Sequence, residues 1–360
     1  MRIEASAALS AAPIRRWYDG LLESGVVPDP VIRMGIRRIC AGRLREQRAG
    51  GVTAQQQRFE QFVGDLAASP LAIHTAEANA QHYEVPAAFF EQVLGPNMKY
   101  SSAWWPEGVR TLGDAEHAML ELTAERAQLE DGQDILELGC GWGSLTLHMA
   151  RTLPRARIVA LSNSASQRAF IERRAEAEGL RNVTVITGDV QFFDTAPASF
   201  DRVVSVEMFE HVRNHRRLLA SIRRWLRPGG ALFVHVFAHT RFAYPYEVRD
   251  GSDWMAQHFF TGGIMPSVAL LPRHQRDLAL DAQWVEDGTH YGRTAEAWLT
   301  NMDARWSAIE PVFARTYGAD DVTRWRVRWR VFFMACAELF NYDRGQQWVV
   351  AHYRFRRGQD

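Results

Sequence analysis

Residues 134–144 read DILELGCGWGS, and this stretch decides the fold. Asp134 to Leu138 has the apolar character of a buried strand, with Glu137 set into it. Gly139, Gly141 and Gly143 follow, and then a helical pattern carried by Leu145, Leu147, Met149 and Ala150. Strand, glycine turn and helix in that order let a ligand press against bare backbone. The spacing is G-x-G-x-G. A dinucleotide fingerprint needs its third glycine at 144, where Ser144 stands. The plainer alternative is a strand-turn-helix unit that only packs.

Working outward, a βα alternation begins near residue 130. Strands are expected at Ile135–Leu138, Arg157–Leu161, Val183–Thr187, Arg202–Val206 and Ala231–Phe237, with helices between them. Such alternation implies an α/β fold with a parallel sheet covered by helices on both faces. Before it, residues 1–125 read as a helical N-terminal region and cap, and residues 126–240 form the α/β core. Residues 241–360 supply an aromatic-rich insertion, a strand near Gln283–Asp287, helices at about 293–316 and 320–342, and a last strand, Gln347–Phe355. An insertion as long as 241–280 is usually a lid or a pocket wall.

Bulk properties narrow the function. Lys+Arg and Asp+Glu are 42 each, so no global basic field exists to hold nucleic acid. Cys40, Cys140 and Cys336 are few, odd in number and far apart, which fits neither a disulfide framework nor a metal knuckle. A reducing cytoplasmic location is the simplest expectation. No segment has the apolar length of a membrane span. The 12 tryptophans would suit an aromatic-walled pocket, or ordinary core packing.

In an open α/β sheet, ligands sit at the carboxyl ends of the strands. After the second strand come Asn163 and Gln167, amides able to bond hydroxyl groups, beside Ser162 and Ser164, which could simply cap a helix. After the third come Asp189 and Val190, an acceptor and an apolar cover for a ring, or a turn-forming Asp. After the fourth comes VEMFEHV, with Glu207, Glu210 and His211. On a helix their spacing puts all three on one face, where two acids orient a histidine and raise its basicity. A solvated helix start is the plainer reading. The usual two-histidine metal spacing is missing, so no metal is expected.

The acidic-led glycine turn resembles motif I of the class I S-adenosylmethionine-dependent methyltransferases. The wider set of motifs is similar to the cyclopropane fatty acid synthase-like branch of that class, above all to its coclaurine and related benzylisoquinoline alkaloid N-methyltransferases. The likeness is carried by HYEVPAAFFEQVLGPNMKYSSAWW (82–105), ERAQLEDGQDILELGCGWGSL (125–145), SVEMFEHVRN (205–214), LFVHVFAHTRFAY (232–244), HFFTGGIMPS (258–267), HYGRTAEAWLTNMD (290–303) and the segment 329–355. It implies a Rossmann-like, mostly parallel sheet with an antiparallel last strand, an N-terminal helical cap and C-terminal helical insertions.

The resemblance also assigns roles. Tyr100 and Ser101 would cover S-adenosylmethionine, Gly139 and Gly141 would form its turn, Asn163 and Gln167 would meet its ribose, and Asp189 and Val190 its adenine. Glu207, Glu210 and His211 match the E-x-x-E-H group that binds and deprotonates a substrate amine, and Glu84 matches a pocket acid. Trp104, Trp105, Phe259 and Phe260 are candidate aromatic walls or ordinary packing, and Tyr291 is a further candidate substrate contact. Two departures matter. Cyclopropane synthases carry Cys where Ser102 stands and Gly where Glu207 stands, although His235 and Tyr291 match partners of their bicarbonate site. The expected partner is therefore a small-molecule amine, and a homodimer is allowed. Methylation or cyclopropanation of unsaturated phospholipid is the alternative. Only that alternative needs membrane contact, for which the arginines at 324, 326, 328 and 330 are a candidate patch or a solvated helix face.

Overall fold

In the computed structural model, which describes residues 19–72, 85–247 and 254–359, Asp134–Leu138 (β1) lies inside a seven-stranded sheet. The other core strands are β2 (Arg157–Ser162), β3 (Val183–Thr187), β4 (Phe200–Val206) and β5 (Leu226–His239). After the short pair β6 (Tyr244–Pro245) and β7 (Ile264–Met265) come β8 (Ala279–Glu286) and β9 (Trp348–Arg356). The sheet order is β3-β2-β1-β4-β5-β9-β8. β1 to β5 run parallel, and β9 is antiparallel to both β5 and β8. The order reverses at β1, so the crevice at the carboxyl ends of β1 and β4 is the natural ligand site.

Described helices are α1 (Asp19–Glu23), α2 (Asp29–Arg48), α3 (Gly51–Ala68), α4 (Ala87–Val93), α5 (Leu112–Ala127), α6 (Ser144–Thr152), α7 (Ala165–Ala177), α8 (His215–Trp225), α9 (Trp254–His258), α10 (Thr289–Ala304), α11 (Trp306–Tyr317) and α12 (Val322–Phe340). Period-two alternation along the strands feeds two cores. Ile135, Val204 and Phe233 pack toward Leu120 of α5 and Met149 of α6. Leu136, Val203 and Val234 pack toward Leu218, Ile222 and Trp225 of α8. Trp225 is 1% exposed, so truncating it to Ala would cost about 3–5 kcal/mol.

The strands lie within three residues of their sequence-based limits, except β5, which begins at Leu226 rather than Ala231, and β8, which begins at Ala279 rather than near Gln283. The helix expected over 293–316 is two helices. It breaks at Arg305, and Asn301 and Arg305 pin this corner to α4 by donating to the Val93 and Gln92 carbonyls at 2.8 and 2.6 Å. No helix among the described residues is long and apolar enough to cross a membrane.

The arginine row on α12 turns toward protein partners. Arg324 meets Asp321 at 2.7 Å, Arg328 meets Glu23 at 2.5 Å, Arg330 meets Asp29 at 2.5 Å, and Arg326 lies 4.5 Å over the Trp306 ring. These contacts tie α12 to α1, to the start of α2 and to α11.

Candidate active site

The glycine turn follows β1 directly. Gly139 has φ +80° and Gly141 φ +52°, the left-handed region that glycine tolerates. A Cβ at Gly139 would sit 2.7 Å from Met208, whereas a Cβ at Gly141 would meet nothing within 4 Å. Gly141 thus presents bare backbone to a cavity lined also by Tyr100, Ser101, Gly139, Asn163, Gln167, Asp189 and Val190. All eight residues assigned to the cofactor from sequence line this one cavity. Beneath the turn, Glu137 is buried and accepts from Thr146 Oγ1 at 2.5 Å, and burial pushes its carboxyl up to about 7.

Local bonds set the rim. Ser162 Oγ donates to Gln167 Oε1 at 2.8 Å, which leaves Gln167 Nε2 buried beside the cavity with no hydrogen-bond partner. Ser164 caps α7 by accepting from the Gln167 amide. Asp189 accepts from both the backbone and side-chain nitrogens of Gln191 at 2.8 and 3.2 Å. The bare turn and the unpaired amide donor fit a ligand with a charged amino-acid end and a hydroxylated nucleoside.

Sequence reasoning missed Lys99. It is buried in the same cavity wall, bonds Ser101 Oγ, and is pushed down to about 8 by burial against the pull of Glu207, Glu116 and Glu137. Nearby, Glu116 accepts from the Gly95 and Asn97 amides at 2.8 and 2.9 Å, which folds the turn leading into Tyr100. Its signal is an acid at an inward position of α5.

The E-x-x-E-H group does not start a helix. Glu207 sits at φ +49°, and Phe209–His211 make a single 3-10 turn. Glu210 therefore parts from Glu207 and His211 instead of sharing a face with them. Glu207 and His211 line the cofactor cavity and also a second, aromatic cavity, together with Tyr100. Glu210 is fully buried away from both, and its Oε1 accepts from the Phe237 amide at 2.8 Å.

Glu207 Oε1 accepts from the Ser102 amide at 2.9 Å, and Oε2 accepts from Tyr291 Oη at 2.6 Å. Burial raises the Glu207 carboxyl, while Lys99, these donors and His211 oppose the rise. Burial and the neighbouring Glu207 hold Glu210 well above the usual carboxylate range. The cations and donors around Glu207 oppose the rise of its carboxyl more than the two backbone amides around Glu210 oppose its own.

The aromatic cavity is walled by Phe237, Tyr246, Phe260, Tyr291, Trp298 and Phe340, among others. Phe260 lies 4.7 Å from the His211 ring, and Tyr291 stacks on Phe340 at 4.3 Å. Two sequence candidates lie elsewhere. Phe259 is fully buried and stacks on Phe332 at 4.5 Å, and Trp104 lies beside His290. Glu84 falls outside the described residues.

The strand order and the cradle define a class I S-adenosylmethionine-dependent methyltransferase. Residues 72–349 match the family model described as mycolic acid cyclopropane synthetase, and the chain belongs to that cyclopropane synthase-like family. It is 36% identical to (S)-coclaurine N-methyltransferase of Thalictrum flavum subsp. glaucum over 343 residues, covering 93% of this chain and 94% of that one. It is 30% identical to cyclopropane-fatty-acyl-phospholipid synthase of Escherichia coli K12, covering 76% of this chain and 67% of that one. The crystal structure of coclaurine N-methyltransferase bound to N-methylheliamine and SAH superimposes with a TM-score of 0.91 at 34% identity, covering 94% of this chain and 98% of that one. A Mycobacterium tuberculosis cyclopropane synthase shares the fold, with a TM-score of 0.67 at 22% identity over 80% of this chain and all of that one. S-adenosylmethionine is the cofactor.

Proposed function

We propose that this methyltransferase N-methylates a small amine with an apolar cyclic or aromatic body. One observation carries the reading: Glu207 and His211 stand where the cofactor cradle and the aromatic cavity meet. Bound S-adenosylmethionine supplies an electrophilic methyl group. The cradle residues Gly139, Gly141, Asn163, Gln167, Asp189 and Val190 hold it, with Tyr100 and Ser101 as cover. Glu207 attracts the substrate ammonium into the junction, and the aromatic walls hold its body. An amine attacks only when unprotonated. His211 takes that proton, directly or through water, because Glu207 is occupied by donors and Glu210 keeps its own proton. Trp104 and Phe259 would act only by supporting the walls.

The named alkaloid N-methyltransferases among the relatives act on amines, which supports this substrate class. Lipid modification is the rival. The arginines on α12, the patch that reading would use, are engaged with protein partners. A cytosolic home is part of the proposal, supported by three cysteines that form no disulfide. The test is incubation with labelled S-adenosylmethionine and either cyclic secondary and tertiary amines or unsaturated phospholipid vesicles. Labelled amine is the expected product. Label only in lipid would overturn the reading.

A further inference from the structure

Glu207 is one end of a buried row that crosses three strands. Its Oε1 lies 3.2 Å from His235 Nε2 on β5. His235 Nδ1 lies 2.9 Å from His352 Nε2, its direct partner on β9. His352 Nδ1 lies 2.7 Å from Arg126 Nη1 on α5. Arg126 Nη2 then donates to Glu286 Oε1 on β8 at 2.6 Å, and its guanidinium lies 5.0 Å over the Trp284 ring.

The direction of this row is fixed by chemistry. Both histidines are fully buried, and burial beside the cations Arg126 and Lys99 keeps them neutral. A neutral imidazole donates from one nitrogen and accepts at the other, whereas arginine only donates. His352 Nδ1 must therefore accept from Arg126, so His352 Nε2 carries the hydrogen. His235 Nδ1 accepts it in turn, so His235 Nε2 carries a hydrogen aimed at Glu207.

We infer that Arg126, His352 and His235 form a polarised strut that holds Glu207 as a hydrogen-bond acceptor at the mouth of the aromatic cavity. They are positioning residues and touch neither substrate nor cofactor. With the strut intact, Glu207 Oε1 is filled by Ser102 and His235, and Tyr291 leaves one lone pair of Oε2 open toward a substrate cation. Without Arg126, His352 is free to adopt either tautomer. His235 can then turn a bare nitrogen toward Glu207, and the carboxylate relieves that clash by taking up a proton. The charged and titratable groups around the row are Lys99, Arg126, Glu207, Glu210, His211, Glu286, Tyr291 and Cys336.

The consequence for turnover rests on the proposed amine chemistry, but the tautomers do not. The experiment compares wild type, Arg126→Met and His352→Gln. A glutamine at 352 can accept from Arg126 and donate to His235, which keeps the polarity. Arg126→Met should lower amine turnover by about 10- to 100-fold, as outer-shell partners of functional histidines do. It should also move the acid limb of the rate profile upward by about one pH unit, while SAH affinity holds. His352→Gln should restore a near-normal profile. Nitrogen-15 imidazole NMR of the wild type should show His235 and His352 as neutral Nε2–H tautomers. An Nδ1–H or doubly protonated ring at either position overturns the strut, as does an Arg126→Met enzyme with an unmoved pH profile. A wild type that methylates no amine would defeat the proposed function, and the NMR result would still decide the strut.

Discussion

Glu207 and Glu210 are three residues apart, yet they face opposite ways: one opens onto both cavities, while the other is sealed under β5 and takes the Phe237 amide at 2.8 Å. The left-handed residue 207 and the 3-10 turn Phe209–His211 send one acid to donors at the cavities and the other under the sheet.

For Glu207, replacement by Gln keeps the shape and removes the charge. Amine turnover should fall by roughly 100-fold or more, with SAH affinity unchanged. Near-normal steady-state rates would remove Glu207 from the proposed chemistry.

Glu210 should behave differently. If it carries its proton, Gln is a close mimic, and Glu210→Gln should stay within about tenfold of wild-type turnover and ~1 kcal/mol of its stability. Glu210→Ala leaves the Phe237 amide unpaired in a cavity and should cost roughly 2–4 kcal/mol by urea unfolding. Equal damage from both variants would contradict a neutral Glu210.

Gly139 and Gly141 make a contrasting pair. Gly141→Ala adds a methyl that meets no protein atom but strains a positive φ, so it should cost about 1–2 kcal/mol and abolish most SAH binding. Gly139→Ala also drives into Met208 and should destabilise the fold more strongly. Thermal melts with and without SAH separate the two effects.

Glu137 gives a pH signature. Its carboxyl is raised from 4.5 to about 7, so the folded state binds that proton more tightly than the unfolded one. Its contribution to stability is full below about pH 4.5 and is lost as pH rises through about 7. The difference is worth roughly 3 kcal/mol. Wild type should lose that amount relative to Glu137→Gln over this window. A gap between the two that does not vary with pH would show that burial does not control Glu137.

Much of this was legible in the sequence because it is local. The glycine turn, the strand-end positions of Asn163, Gln167, Asp189 and Val190, and the parallel core follow from patterns a few residues long. The conformation after β4 was not legible, since spacing assumed a helix where Glu207 takes a left-handed turn. Phe259 and Phe260 are adjacent, and only packing decides which one faces the cavity. His352 reads as one polar residue in an apolar strand, and it gains meaning only when β9 pairs with β5 more than a hundred residues away in sequence.

The backbone at position 207 carries a last consequence. A φ of +49° suits glycine, the residue that the resemblance places there in cyclopropane synthases. Glutamate at this site is a mildly strained guest on a turn shaped for a smaller residue. Glu207→Gly would relieve that strain but leave the Ser102 amide, the Tyr291 hydroxyl and His235 Nε2 without their buried acceptor, so it should destabilise the protein by at least about 1–3 kcal/mol while removing its anionic anchor. The backbone of this turn admits either residue, so an exchange between them needs new partners for those donors but no rebuilding of the loop.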